Sequence, residues 1–499
     1  MRGRIFDIIE QQLKYFMKLA AKKQFHFLLL VTLLFYGLGL VFANTLARVT
    51  LLGIVYWLVI FSLVRKWQLS LWLTLVAFLI FDRGKSLEFY LIPSKLMYRP
   101  DKMVDLNYHL IFTFSDLVFF LLFFSLWRRR EFFFPKKEDW NLFAFLVWGG
   151  ISCLFAFQPP LAFFSWLLLL RTAALYFLAQ FFLRQSNFRQ HLMVLLAAGA
   201  IFEGGLAFLQ VLTRGTVIGG MMSAATIGGI PVQENVDFFR AQGTFYHPNF
   251  LAVFFSLLIP LFFFSLLREK PGSFFFFLEF AAFGFSLLGL LFTLSRVAWL
   301  VIFLVLAGGL VVLNRLFPDF KARISQLSST VGFKRLIAVS LVFLVIIFLP
   351  RVSSMLTTFS ELGSGGYRLE LFRRALKLMA RFPLFGVGLN GFSSAMFYQL
   401  PEQFKFYPAQ PHNLFLQIGA EMGIPALLLF LIFLIGKSVS FLKEERATVF
   451  NLSSVLNWGI FFSAISFLLV SLAYPTFLVH RLFDYFFIFL GSLVWQNEL

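Results

Sequence analysis

Three arginines, two histidines and a few amide and acid neighbours sit at or near the edges of apolar runs in the second half of the chain. Arg240, His247 and Asn249 stand in FFRAQGTFYHPNFLAVF, and Arg296 in TLSRVAWL. Arg368 stands in GGYRLELF, and His412, Asn413 and Glu421 in QPHNLFLQIGAEMG. A planar guanidinium grips phosphate oxygens two at a time, which a lysine ammonium cannot do. Arginines gathered on one face suit an anion held at a membrane interface, such as a lipid phosphate or diphosphate. A neutral imidazole, with an ordinary pKa near ~6.5, accepts a proton at neutral pH. His412 is the candidate base beside such a clamp. Glu421, a little over two helical turns further on, could orient a neighbour or be buried and neutral. No D-x-D occurs in the chain, so a metal-held nucleotide diphosphate is not expected.

Plainer roles compete for each residue. A single arginine at a helix end ordinarily snorkels to the interface. Pro411, His412 and Asn413 read equally well as a helix start with a capping residue. His247, Pro248 and Asn249 also read as a helix start, and there the structural role is the favoured one. The arginines have few acidic neighbours: Glu234 and Asp237 before Arg240, and Glu370 after Arg368. A spare positive field is expected.

The elements that carry these residues are membrane helices. Of 499 residues, 60% are hydrophobic and 13% charged, against about 25% charged in soluble domains. Apolar runs of about 20 residues, enough to cross ~30 Å of hydrocarbon as helix, recur throughout. The candidate spans are roughly 24–42, 49–64, 69–81, 109–127, 140–157, 161–183, 191–212, 247–267, 273–293, 296–314, 336–350, 413–436, 452–474 and 479–495. The fold class is therefore all-α, a polytopic helical bundle of about 12–14 spans. The net charge of +19 is read through the positive-inside rule rather than as nucleic-acid binding. Short basic loops such as WRRREFFFPKKED mark the cytoplasmic side and place both termini there, with no cleavable signal peptide expected. Loops 82–108, 213–246 and 351–412 then face outward. The single cysteine, Cys153, reads as a small buried hydrophobe.

Loop 351–412 is too long for a mere connector. Leu369, Phe372, Leu376 and Met379 recur in it at helical spacing, with Arg373, Arg374, Lys377 and Arg381 between them. They predict an amphipathic basic helix ended by Pro383, lying on the membrane surface or packed on the protein. PLFGVGLNGF follows. Its glycines, Gly386, Gly388 and Gly391, look like a phosphate-cradling loop, but tight turning is the favoured reading in the absence of a parallel sheet. Three regions follow: N-terminal membrane helices (1–200), a functional region with the outward loop (201–440), and C-terminal membrane helices (441–499).

Three motifs, RAQGTFYHPN at 240–249, LSRVAW at 294–299, and R…PLFGVGLNGF…HNxxLQxxxExG from Arg368 to Gly423, together resemble the O-antigen ligase and polymerase superfamily. The resemblance covers roughly residues 200–440. It implies an enzyme of the cytoplasmic (inner) membrane that transfers or polymerises a glycan from a polyprenyl-diphosphate carrier. The acceptor would be a hydroxyl of a lipid, glycan or protein at the outer face. It implies no cofactor and no metal. By motif, Arg296 and Arg368 would hold the diphosphate and His412 would activate the acceptor hydroxyl. Arg240, His247, Asn249, Asn413 and Glu421 would line the substrate site. The alternative is a transporter of a small anion or solute, suggested by Arg171, Glu203 and Glu279 within apolar spans. A purely structural membrane component leaves the arginine and histidine cluster without an explanation.

Overall fold

The computed structural model describes residues 23–41, 46–81, 87–90, 109–128, 137, 139–183, 188–213, 226–227, 230–231, 240–245, 247–317, 364–397, 410–447, 452–477 and 480–493. Glu234, Asp237 and candidate span 336–350 lie outside the described residues.

The fold is an all-α polytopic bundle. Its helices are α1 (Lys23–Val41), α2 (Leu46–Val64), α3 (Trp67–Phe81), α4 (Phe114–Arg128), α5 (Asp139–Cys153), α6 (Pro159–Leu183), α7 (Phe188–Leu212) and α8 (Pro248–Arg268). There follow α9 (Phe274–Thr293), α10 (Arg296–Leu316), α11 (Ser364–Arg381), α12 (Phe392–Phe397), α13 (Leu414–Met422), α14 (Ile424–Ala447), α15 (Leu452–Val470) and α16 (His480–Ser492). Among the described residues, 8 helices are long and apolar enough to cross a membrane. Two short antiparallel pairings decorate the connections: β1 (Leu87–Tyr90) with β2 (His109–Phe112), and β3 (Thr226–Ile227) with β4 (Ile230–Pro231).

Two sequence expectations need correction. Candidate span 109–127 begins as the strand His109–Phe112 and becomes helix only at Phe114, where Asp116 accepts from the Thr113 amide at 2.9 Å. Candidate span 413–436 is two helices, α13 and α14, broken at Gly423. Gly423 has φ 88°, and a Cβ there would lie 2.0 Å from the Leu384 carbonyl oxygen. Only glycine allows both the dihedral and the approach.

α8 is the central helix, packed by α9, α10 and α15 and touched by α16. Its apolar residues are buried almost all round, as expected of a helix without a polar face. The outer helices keep large apolar side chains exposed, among them Leu51, Leu58, Phe124 and Phe303. That is the surface hydrocarbon requires. Cys153 is buried, with its thiol donating to the Gly149 carbonyl.

Arg171, Glu203 and Glu279, the three ionisable groups singled out within apolar spans, all have partners within the protein. Arg171 of α6 forms ion pairs with Asp116 of α4 and Asp484 of α16, and Thr172 also donates to Asp484. Glu203 accepts from the Thr244 amide at 2.9 Å and from its hydroxyl. Glu279 accepts from Ser265 at 2.8 Å, with Arg268 at 3.8 Å. These partners tie the three groups into the interior of the bundle.

Candidate active site

Apart from Glu421, the candidate residues converge on the end of the bundle where α8, α10, α11 and α13 begin and α9 and α15 finish. Each is held by a different local device.

The turn before α8 is clamped from α7. Gln210 accepts from the Gln242 and Gly243 amides at 3.0 and 2.9 Å and donates to the Gly243 carbonyl at 2.8 Å. Glu203 holds Thr244 beside them. The turn is thereby fixed against α9, with the Ala241 amide on the Phe292 carbonyl at 2.9 Å. At its start, Arg240 donates from Nε to the Thr293 carbonyl at 2.9 Å and from Nη2 to Asn249 Oδ1 at 2.8 Å. Asn249 thus orients Arg240. His247 is the N-cap of α8, its Nδ1 accepting from the Asn249 amide at 3.0 Å.

The α9–α10 corner turns through Leu294 at φ 53°. Ser295 is the N-cap position of α10 and makes no side-chain capping bond. Its hydroxyl instead shares a 2.7 Å hydrogen bond with the Tyr474 hydroxyl. Arg296, the first residue of α10, is half-buried at this corner.

α11 is amphipathic, but not in the register expected. Leu371, Ala375 and Leu378 face inward onto Val387, Phe392, Met396 and Ala420. Leu369 and Leu376 are exposed. The core side is set by contacts with α13 rather than by the largest side chains. Arg368 lies near its start, with its guanidinium carbon 5.6 Å from the centroid of the Tyr474 ring. Glu370 is turned away to Arg374 at 2.6 Å, so it does not neutralise Arg368. Among the described residues, no carboxylate or carbonyl accepts a hydrogen bond from Arg368.

His412 is not the helix cap. Asn413 is: its Oδ1 accepts from the Phe415 and Leu416 amides, each at 3.0 Å. Asn413 Nδ2 also donates to the Leu472 carbonyl at 3.2 Å. His412 precedes the cap at φ 52°, with a half-buried side chain. Desolvation, then the charges of Arg368 and His247, push its pKa down from the usual imidazole value to about 3. His247 is pushed down to about 4 by desolvation and by Arg240 and Arg368. Both rings are neutral bases at pH 7. The same perturbations show that His412, His247, Arg368 and Arg240 share one electrostatic neighbourhood.

Glu421 stands apart, eight residues beyond Asn413 and so about 12 Å along the helix. Its Oε2 accepts from the Asn390 amide at 2.9 Å and its Oε1 from Gln417 at 3.3 Å. The glycine loop that follows α11 is pinned on this end of α13. Val387 and Gly388 donate to the Ala420 and Glu421 carbonyls at 3.0 and 2.8 Å, and Gly391 donates to Gly388 at 2.9 Å. A Cβ on Gly386 would meet the Glu421 carbonyl carbon at 2.4 Å. The loop's amides are directed at protein acceptors, so it is a clip between α11 and α13 and not a phosphate cradle.

Sequence reasoning missed Tyr474, Ser295, Thr293 and Gln210. Tyr474 lies beyond every motif quoted above, in the SLAYPTF turn after α15. Its signal was a tyrosine beside a proline at the end of an apolar run. No partner could be assigned to it without the fold.

None of the curated proteins compared with the chain matches it. Residues 281–431, which run from α9 through Arg296, Arg368 and His412 into α14, match the family described as O-antigen ligase, and this match supports the resemblance of the chain to the O-antigen ligase superfamily of membrane glycan-transfer enzymes.

Proposed function

We propose that the enzyme takes its glycan from a polyprenyl-diphosphate carrier and passes it to an acceptor hydroxyl at the outer face of the cytoplasmic membrane. The observation that carries this reading is the grouping of Arg240, Arg296 and Arg368 with a neutral, desolvated His412 at one end of the bundle. The arginines supply positive charge where a diphosphate would sit, with no metal required by the reading. Among the described residues, no carboxylate competes for the N–H fork of Arg368. The short basic loops support cytoplasmic termini, which puts this end of the bundle outside.

The chemistry follows from those charges. The acceptor oxygen attacks the anomeric carbon as the carbon–oxygen bond to the diphosphate breaks. His412 takes the hydroxyl proton, and the arginines neutralise the charge that grows on the departing diphosphate. A single displacement inverts the anomeric centre. The acceptor arrives from water and the carrier from the membrane, and a threshold position such as that of His412 can meet both.

The test is reconstitution. Full-length protein in nanodiscs, given a polyprenyl-diphosphate-linked glycan and a hydroxyl acceptor, is expected to form a new glycosidic linkage and release polyprenyl diphosphate. Arg368→Lys keeps the charge but loses the planar fork, and is expected to slow transfer by about tenfold or more. Solute flux without linkage formation overturns the reading. Wild-type turnover in Arg368→Lys removes that residue from the clamp.

A further inference from the structure

We propose that Tyr474 is a positioning residue that sets Arg368 and Arg296 in one geometry for a diphosphate; the inference rests on the function proposed above. Tyr474 lies outside the segment that matches the ligase family. It is buried, on the turn between α15 and α16. Two independent contacts connect it to the clamp.

The first is the ring. Arg368 stacks over it at 5.6 Å, within the ~6 Å reach of cation–π attraction. A ring face holds a guanidinium through its π-system and leaves the N–H donors at the edge of the plane available. A carboxylate partner would occupy those donors and cancel the charge. The ring is therefore a seat that does not compete with an anionic ligand.

The second is the hydroxyl. It bonds Ser295 Oγ at 2.7 Å, and Ser295 immediately precedes Arg296. The Ser295 amide reaches Thr293 Oγ1 at 3.3 Å, and the Thr293 carbonyl accepts from Arg240 Nε at 2.9 Å. One side chain thus touches Arg368 with its face and fastens, through its rim, the corner from which Arg296 springs and onto which Arg240 is bonded. The same turn also holds the histidine's helix: the Leu414 amide donates to the Ser471 carbonyl at 2.9 Å, and Asn413 donates to Leu472. Elements from outside the matched segment set the spacing between its arginines.

Binding of polyprenyl diphosphate alone to full-length protein in nanodiscs separates this role from bulk stability. Tyr474→Leu is expected to weaken binding about 2- to 30-fold. Tyr474→Phe keeps the ring seat for Arg368 but loses the bond to Ser295, and is expected to weaken binding by less than Tyr474→Leu, about 2- to 10-fold. The decisive measurement is a double-mutant cycle with Arg368→Ala. If Tyr474 acts through Arg368, adding Tyr474→Leu to Arg368→Ala costs much less than it does alone. Full additivity makes Tyr474 a packing residue and overturns the inference. So does wild-type affinity in Tyr474→Leu, provided that wild-type protein binds polyprenyl diphosphate and transfers glycan. Failure of the wild type to do either overturns the proposed function itself, and this inference with it.

Discussion

His412 and His247 stand in tripeptides of the same composition, PHN and HPN, yet their roles diverge at the level of single atoms. His247 caps a helix through Nδ1, whereas Asn413 does that beside His412. This leaves His412 outside the cap and in a left-handed conformation, φ 52°, which costs an L-residue roughly 1–2 kcal/mol. Glycine adopts it freely. His412→Gly therefore deletes the imidazole while relieving the backbone. It is expected to match or exceed wild-type thermal stability and to slow transfer about 10²–10⁴-fold; wild-type turnover refutes the base. Acidity gives a second measurement on the same residue. The folded pKa of His412 is about 3, below the ~6.5 of an unfolded chain. Between those values the unfolded state binds more protons, so its contribution to stability is whole above pH ~6.5 and declines as pH falls toward 3. The melting temperature of the wild type is expected to drop between pH 7 and pH 5, and that of His412→Gly to drop less. The acid limb of kcat/KM, which reports the free enzyme, is expected well below pH ~6.5.

The helix that follows His412 is nine residues long and ends at a glycine, so its aim depends on what stops it. Gly423 does so at φ 88°, with the Ile424 amide on the Pro383 carbonyl at 2.8 Å and Trp148 donating to both Leu384 and Met422 at 3.2 Å. α11, the glycine loop and α13 are thereby one clipped unit, and Glu421 fastens it through Asn390. Any Cβ at Gly423 must displace backbone, since the obstructing atom is the Leu384 carbonyl oxygen at 2.0 Å. Gly423→Ala is expected to cost about 1–3 kcal/mol from the dihedral, with the clash added to it. Transfer should fall by more than stability alone explains, because the clip sets the distance between Arg368 and His412. Thermal melts alongside initial rates measure both. An alanine variant with unchanged melting and rate would show that the break is tolerant.

Across the whole bundle, Arg171 ties α4, α6 and α16 through two carboxylates, with side chains 11%, 6% and 0% exposed for Arg171, Asp116 and Asp484. Removing the cation alone leaves two buried acids without the charge that they share. Arg171→Leu is expected to destabilise the protein by about 3–5 kcal/mol. Replacing all three by leucine removes the charges together, and should recover most of that stability and the transfer activity. This separates a structural tie from a transport path: a triple variant that is stable but inactive would return Arg171 to the functional machinery. The assay is chemical or thermal unfolding in detergent, followed by glycan transfer in nanodiscs.

The sequence by itself determined the class of solvent, the helical bundle, most of the membrane-helix positions among the described residues and the residue types of the candidate site. Hydrophobic length and arginine chemistry are local properties and can be read without coordinates. Motif order alone also carried the superfamily. Only the tertiary structure decided which residue of PHN caps the helix and which face of α11 turns inward. It also decided that span 413–436 is two helices, that Glu421 fastens a loop, and that Arg171, Glu203 and Glu279 are paired. It alone brought Tyr474 beneath Arg368, across 106 residues of chain. Caps, breaks and pairings depend on which atoms meet, and contacts between distant segments leave no periodicity or spacing in the chain to announce them.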